Sequence, residues 1–91
     1  MTEAQRKIMI YLKSSKNTFA VKYMKGLTTT YRILTEDRTP LVNAGSRPFL
    51  NLIKNGMIDV DKTEIPVKYR LSEAGLKYKI RYRSERTANT I

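Results

Sequence analysis

The sequence predicts a small α+β domain in which helices and β-hairpins follow one another along 91 residues. Apolar residues recur at helical spacing in segments 3–15 and 46–55. Apolar and polar residues alternate, as they do in half-buried strands, in segments 19–24, 28–35, 57–61 and 67–71. The predicted order is therefore helix, β-hairpin, helix, β-hairpin and a short C-terminal helix.

The composition is that of a single globular domain, with 41% hydrophobic and 29% charged residues. We expect residues 1–83 to form this domain and residues 84–91, which lack apolar periodicity, to form a frayed tail. The sequence shows no apolar signal segment and no run of membrane-spanning length, which predicts a soluble cytoplasmic protein with no membrane partner. A monomer and a homodimer both remain open.

The first helix is expected over Glu3–Ser15, with Thr2 as its cap. Its apolar face contains Ile8, Tyr11 and Leu12, at positions i, i+3 and i+4.

The first hairpin is expected to turn at Lys25–Gly26, between strands that begin at Phe19 and Thr28. Thr39–Val42 is expected to return as a short strand. Pro40 places this strand at an edge, because proline cannot donate a ladder hydrogen bond.

The second helix is expected to follow a loop at residues 43–46, with Ser46 as its N-cap and Gly56 as its left-handed C-terminal cap. Its apolar stripe is expected to pack on the first helix and on the second hairpin. The stripe consists of Phe49, Leu52 and Ile53.

The second hairpin is expected over Met57–Asp61 and Val67–Leu71, and Ser72 then caps a short helix. From Leu76 onward, strict alternation with Lys and Arg fits a strand, while the spacing of Leu76 and Ile80 fits a helix. We favour a helix to about residue 80, followed by a basic tail.

The charge points to nucleic acid as the first partner to consider. The chain contains 18 Lys and Arg residues and eight Asp and Glu residues, which gives a formal net charge of +10. A positive potential of this size on a small domain attracts phosphates, although it also suits an acidic protein partner.

Catalysis has little support in the residue inventory. The chain contains no histidine and no cysteine, which removes the commonest general base and the thiolate nucleophile. The acidic pairs Glu36-Asp37 and Asp59-Asp61 have nothing nearby in the sequence to complete a metal site, and no Gly-rich phosphate loop is present. We therefore expect no enzyme activity, no metal and no cofactor.

Two linked motifs carry a resemblance to a known family. Leu-Ile-Lys-Asn-Gly-Met-Ile at residues 52–58 joins a helix to a strand, and Tyr-Arg-Leu-Ser-Glu-Ala-Gly at residues 69–75 closes the second hairpin. The stretch from Ser46 to Tyr78 thereby resembles the second half of a winged helix-turn-helix domain, with a recognition helix followed by a two-stranded wing. The resemblance implies double-stranded DNA binding by a small transcriptional regulator or an accessory factor of a phage or mobile element.

The chain departs from the family between its first two helices. The family usually places a helix immediately before the recognition helix, whereas residues 18–42 favour strands here. The arrangement is similar to that of small bacterial and phage proteins with a β-hairpin at this point. Since winged-helix domains also bind proteins, a protein-interaction module that docks on an acidic surface is the alternative.

The resemblance assigns the second helix the role of reading DNA. Arg47, Asn51 and Lys54 lie off its apolar stripe at steps of four and three. Arginine suits a guanine edge, asparagine suits an adenine edge, and lysine suits a phosphate or a guanine. A solvated helix face is the plainer interpretation. Ser46 and Asn55 are included in the predicted DNA-binding set.

Two further groups of cations complete that set. In the wing, Lys68 and Arg70 either contact phosphate or pair across the strands with Asp59 and Asp61. Lys62 at the tip of the wing is expected to reach a phosphate. In the C-terminal run, like charges with interleaved tyrosines repel one another unless an anion is present. The predicted phosphate-binding residues of this run are Lys77, Lys79, Arg81 and Arg83.

Overall fold

The computed structural model describes residues 1–80 and shows an α+β domain with three helices and one five-stranded antiparallel sheet. The predicted tail at residues 84–91, and Arg81 and Arg83, lie outside the described residues. The elements in chain order are α1 (Glu3–Lys13), β1 (Phe19–Lys25), β2 (Thr28–Leu34), β3 (Pro40–Gly45), α2 (Ser46–Lys54), β4 (Ile58–Asp61), β5 (Lys68–Leu71) and α3 (Glu73–Lys77).

The sheet has the order β3-β2-β1-β5-β4 and joins the two hairpins into one surface. β1 and β2 pair along their whole length, from Phe19 opposite Leu34 to Lys25 opposite Thr28. β1 and β5 pair only near Ala20 and Val21. The two hairpins therefore meet at the start of β1, and the tip of the first hairpin extends beyond this junction.

Both α1 and α2 pack on one face of the sheet and enclose the core there. The ring of Phe49 in α2 is fully buried and stacks on Tyr31 of β2, with ring centres 4.1 Å apart and planes 7° apart. Tyr69 of β5 meets both rings edge-on. The other buried members of this core are Ile8, Met9, Leu12, Ala20, Ile33, Ala44, Leu52 and Ile58.

Local signals place the helix ends. The Thr2 hydroxyl accepts from the Gln5 N–H at 3.2 Å, and the Gln5 side chain accepts from the Thr2 N–H at 2.9 Å, which completes a capping box. At the C-terminal end of α2, Gly56 has φ +80°. The N–H groups of Gly56 and Met57 bond back to the carbonyls of Ile53 and Leu52, a Schellman ending that α2 needs in order to turn into β4.

The third strand is longer than predicted, and the expected loop at residues 43–46 is wrong. Asn43, Ala44 and Gly45 pair with β2 and carry β3 directly into α2. Gly45 is consequently the N-cap residue, and Ser46 lies inside the first turn of the helix. The predicted edge position of this strand is confirmed.

Two apolar side chains are more exposed than their spacing predicted. Tyr11 is 36% exposed, whereas its neighbours Ile8 and Leu12 are buried. Leu76, inside α3, is 63% exposed. The predicted helix to about residue 80 is wrong, since α3 ends at Lys77 and Tyr78 is extended. Among residues 1–80, none of the helices combines the length and hydropathy that a membrane-crossing segment needs.

Gly75 is the glycine at which a side chain has no room. A methyl group there would overlap the backbone oxygen of Met57 and lie 3.1 Å from Cδ2 of Leu71. Helix propensity alone would make Gly75→Ala stabilising by about 1 kcal/mol. We expect the opposite sign, a loss of about 1–3 kcal/mol in the free energy of unfolding, because a backbone atom must move.

Urea unfolding would measure this effect, with Gly45→Ala as the control. At Gly45 the nearest atom to an added methyl is a side-chain carbon of Pro48 at 3.7 Å, an ordinary contact. A Gly75→Ala variant as stable as the native chain would show that α3 does not pack on the Met57 backbone.

Candidate nucleic-acid interface

The outer face of α2 presents the predicted reading residues together. Phe49 and Leu52 point into the core, and a helix advances by about 100° per residue, so Arg47, Asn51 and Lys54 lie on the opposite side. All three are exposed. We refer to Arg47, Asn51 and Lys54 as the α2 row. Asn55, the C-cap, is exposed beside this row, while Ser46 is half-buried on the flank.

The α2 row has no acidic residue within its own helix. Within residues 1–80, none of the ion pairs involves Arg47 or Lys54. Their charges are therefore not offset by a carboxylate in the described part of the chain, which leaves them able to attract an external anion.

The cations of the predicted wing, which is the hairpin of β4 and β5, do not lie beside the α2 row. Lys68 and Arg70 alternate with Tyr69, which packs on the core, so their side chains emerge on the sheet face opposite α1 and α2. Lys68 Nζ lies 3.1 Å from Glu64, and Arg70 reaches Asp61 at 3.1 Å and Glu64 at 3.5 Å. Pairing with acidic residues, one of the two interpretations of the wing, is thus the one observed, with Glu64 in place of the expected Asp59.

These wing cations also cover an apolar side chain. Phe19 lies on the same sheet face yet is only 3% exposed. Lys68 Nζ lies 4.6 Å from the Phe19 ring centre, and the guanidinium carbons of Arg70 and Arg38 lie 5.8 and 5.9 Å away. The aliphatic parts of these three side chains cover the Phe19 ring, and their charged groups form cation–π contacts with it.

Two of the four acidic residues considered for metal binding, Asp61 and Asp37, organise turns. Asp61 accepts from the Thr63 hydroxyl and from the Thr63 N–H, the latter at 3.0 Å. These bonds, together with the charge of Arg70, lower the pKa of the Asp61 carboxyl below its ordinary value. Asp37 has a lowered pKa for a similar reason, since the hydroxyls of Thr35 and Thr39 donate to it.

The remaining predicted cations are dispersed. Lys62 is exposed in the turn of the wing, and Lys79 is exposed beyond α3. Lys77 pairs with Glu73 at 3.0 Å on the surface. The structure therefore brings together the predicted residues of α2 and places Lys68 and Arg70 on the sheet face opposite that helix.

The first hairpin contributes cations that the sequence interpretation missed. Lys22 is exposed on the sheet face that carries the helices, since it pairs with the core residue Tyr31. On the other face, the guanidinium carbon of Arg32 lies 4.4 Å from the Tyr23 ring centre, and Lys25 is exposed near the tip. The sequence feature that could have identified these cations is the absence of any acidic residue between Glu3 and Glu36.

Comparison of the chain with protein-family models, with curated proteins and with solved structures gives no match in any of the three.

Proposed function

We propose that the protein binds double-stranded DNA, with α2 as the helix that enters the groove. The observation that carries this proposal is the α2 row, which combines two exposed cations and an amide on a helix without acidic residues. The net charge of +10 supports it, because phosphate contacts supply most of the non-specific affinity for DNA.

The α2 row divides the work between base contacts and phosphate contacts. Arg47 and Asn51 lie in the first two turns of α2, where side chains reach base edges when a helix docks in the major groove. Arginine pairs with guanine and asparagine with adenine through two hydrogen bonds each. Lys54, a turn further on, grips a phosphate and fixes the register.

The first hairpin assumes the supporting role that the resemblance assigned to the wing. It carries Lys22 midway along β1 and Lys25 near its tip without an acidic residue in either strand, whereas the wing cations are engaged with Asp61 and Glu64. We regard the fold as a winged-helix variant in which the first hairpin, not the wing, contacts the DNA backbone. A cytoplasmic regulator of transcription or an accessory factor of a mobile element fits this mode of binding.

A protein-interaction module is the second candidate, and one exposed residue favours it. Leu50 lies next to the α2 row and is 49% exposed. An apolar side chain at this position contributes more to a protein interface than to a phosphate backbone. The two candidates predict different responses to salt.

Duplex affinity is expected to fall steeply with salt. If about four phosphates are contacted, the logarithm of the association constant declines with a slope of about −3.6 against the logarithm of the salt concentration. Doubling the salt from about 50 to 100 mM then weakens binding roughly tenfold. Fluorescence anisotropy on a labelled mixed-sequence duplex would measure the slope.

The melting temperature over the same salt range serves as the control, since it separates loss of binding from loss of fold. Affinity that stays flat across this range would overturn the DNA proposal and favour the module that binds proteins through Leu50.

A further inference from the structure

The two edges of the sheet are protected very differently. The β4 edge is four residues long and carries Asp59 and Asp61. The β3 edge is six residues long and carries no charged residue. An edge strand leaves alternate N–H and C=O groups unpaired, and charged side chains normally prevent another strand from adding there. The β3 edge lacks that protection apart from Pro40 at its start.

A groove runs beside this unprotected edge, between β3 and α1. The α1 wall is a row at helical spacing formed by Ala4, Lys7 and Tyr11, all of which are exposed. Val42 and Ala44 of β3 and Pro48 of α2 also line the groove. The groove volume is about 450 Å³. A strand added to β3 would direct alternate side chains into this space, where the exposed ring of Tyr11 could cover them.

We propose that β3 and this groove bind an extended acidic segment of a partner protein, which adds to the sheet as a sixth strand. Main-chain hydrogen bonds to β3 supply the affinity, and alternate side chains in the groove supply the selectivity. This surface is separate from the α2 row and does not depend on the DNA proposal.

Charge decides the chemistry of the occupant. Among the described residues that line the groove, Lys7 is the charged one. None of the ion pairs found in residues 1–80 involves it. A second copy of the chain would bring its own β3, which contains no carboxylate, together with a further net charge of +10. An acidic segment neutralises Lys7, whereas a second copy adds repulsion.

Selection of a random peptide library on the whole chain, followed by synthesis of the enriched peptides, tests the proposal. We expect peptides of alternating apolar and polar residues with a carboxylate near the centre. Lys7→Glu should weaken their binding at least about tenfold and should favour copies in which the carboxylate is replaced by Lys. Lys16→Glu is the matched control, because it makes the same charge change at an exposed position outside the groove.

Amide hydrogen exchange with the best peptide bound would locate it. Protection should rise in β3 and not in β4. Peptides without carboxylates, binding that Lys7→Glu and Lys16→Glu affect equally, or protection outside β3 would overturn the proposal. So would sedimentation of the free chain as a dimer with β3 protected, since a second copy would then be the occupant.

Discussion

Replacement of Phe49 by alanine is expected to lower the free energy of unfolding by about 3–5 kcal/mol. The ring is fully buried, stacks on Tyr31 at 4.1 Å and receives Tyr69 edge-on at 5.6 Å, so its removal breaks the contact between α2 and the sheet. A domain of this size has a total stability of about 5–15 kcal/mol. The loss corresponds to a melting temperature lower by more than about 12 °C.

Leu50→Ala is the matched control for Phe49→Ala, because Leu50 is the next residue of the same helix and is half exposed. It should change stability by no more than about 0.5–1 kcal/mol.

A second measurement follows from the buried phenol beside Phe49. Burial, with a contribution from Tyr69, raises the pKa of Tyr31 above its ordinary value. In a folded Phe49→Ala variant water reaches this ring, so the pKa should fall back toward the ordinary range in an ultraviolet titration.

An unchanged melting temperature for Phe49→Ala, or equal losses for the two variants, would show that α2 does not face the sheet in this orientation.

Sequence reasoning was most successful where a local pattern determines the local structure. The Thr2 cap and the Gly56 ending define the two long helices because each acts within one helical turn. It was wrong at residues 43–45, where asparagine and glycine are typical of a loop. They form strand only because β2 lies alongside them, and that pairing across the sheet is invisible to local propensity.

The same limit applies to the candidate site. The outward positions of Arg47, Asn51 and Lys54 follow from helical spacing alone, so the sequence predicted them correctly. The neutralisation of Lys68 depends on Glu64, which reaches it from the turn of the wing. That contact depends on the path of the turn, which no residue pattern specifies. Counting positive charges therefore did not predict that Lys68 pairs with Glu64, and it drew no attention to the exposed cations of the first hairpin.

Removal of the two α2 charges is expected to weaken duplex binding far more than removal of two wing charges. Arg47→Gln with Lys54→Gln removes the guanine contact of Arg47, worth about 1–3 kcal/mol, together with the phosphate contact of Lys54, worth roughly fivefold in affinity at about 0.15 M salt. The combined loss is about thirtyfold or more, and the salt slope should fall by about one. Lys68→Gln with Arg70→Gln changes the net charge by the same amount. It should cost only a few-fold in affinity, because those cations already face Asp61 and Glu64. Equal losses for the two double variants would mean that only total charge matters and that α2 has no special position on the DNA.

Asn51→Ala then separates base reading from phosphate binding, because it leaves the net charge unchanged. On a duplex site selected from random sequence, loss of the asparagine–adenine pair should cost about 1–3 kcal/mol of binding free energy. On unselected duplex the cost should be much smaller, since base edges differ between sequences and phosphates do not. Asn43→Ala is the control, because it makes the same change at an exposed asparagine that lies in β3, outside α2. If Asn51→Ala weakened binding equally on both duplexes, α2 would contact DNA or a protein without distinguishing one base sequence from another. The exposed Leu50 would then make the protein-interaction function the stronger of the two.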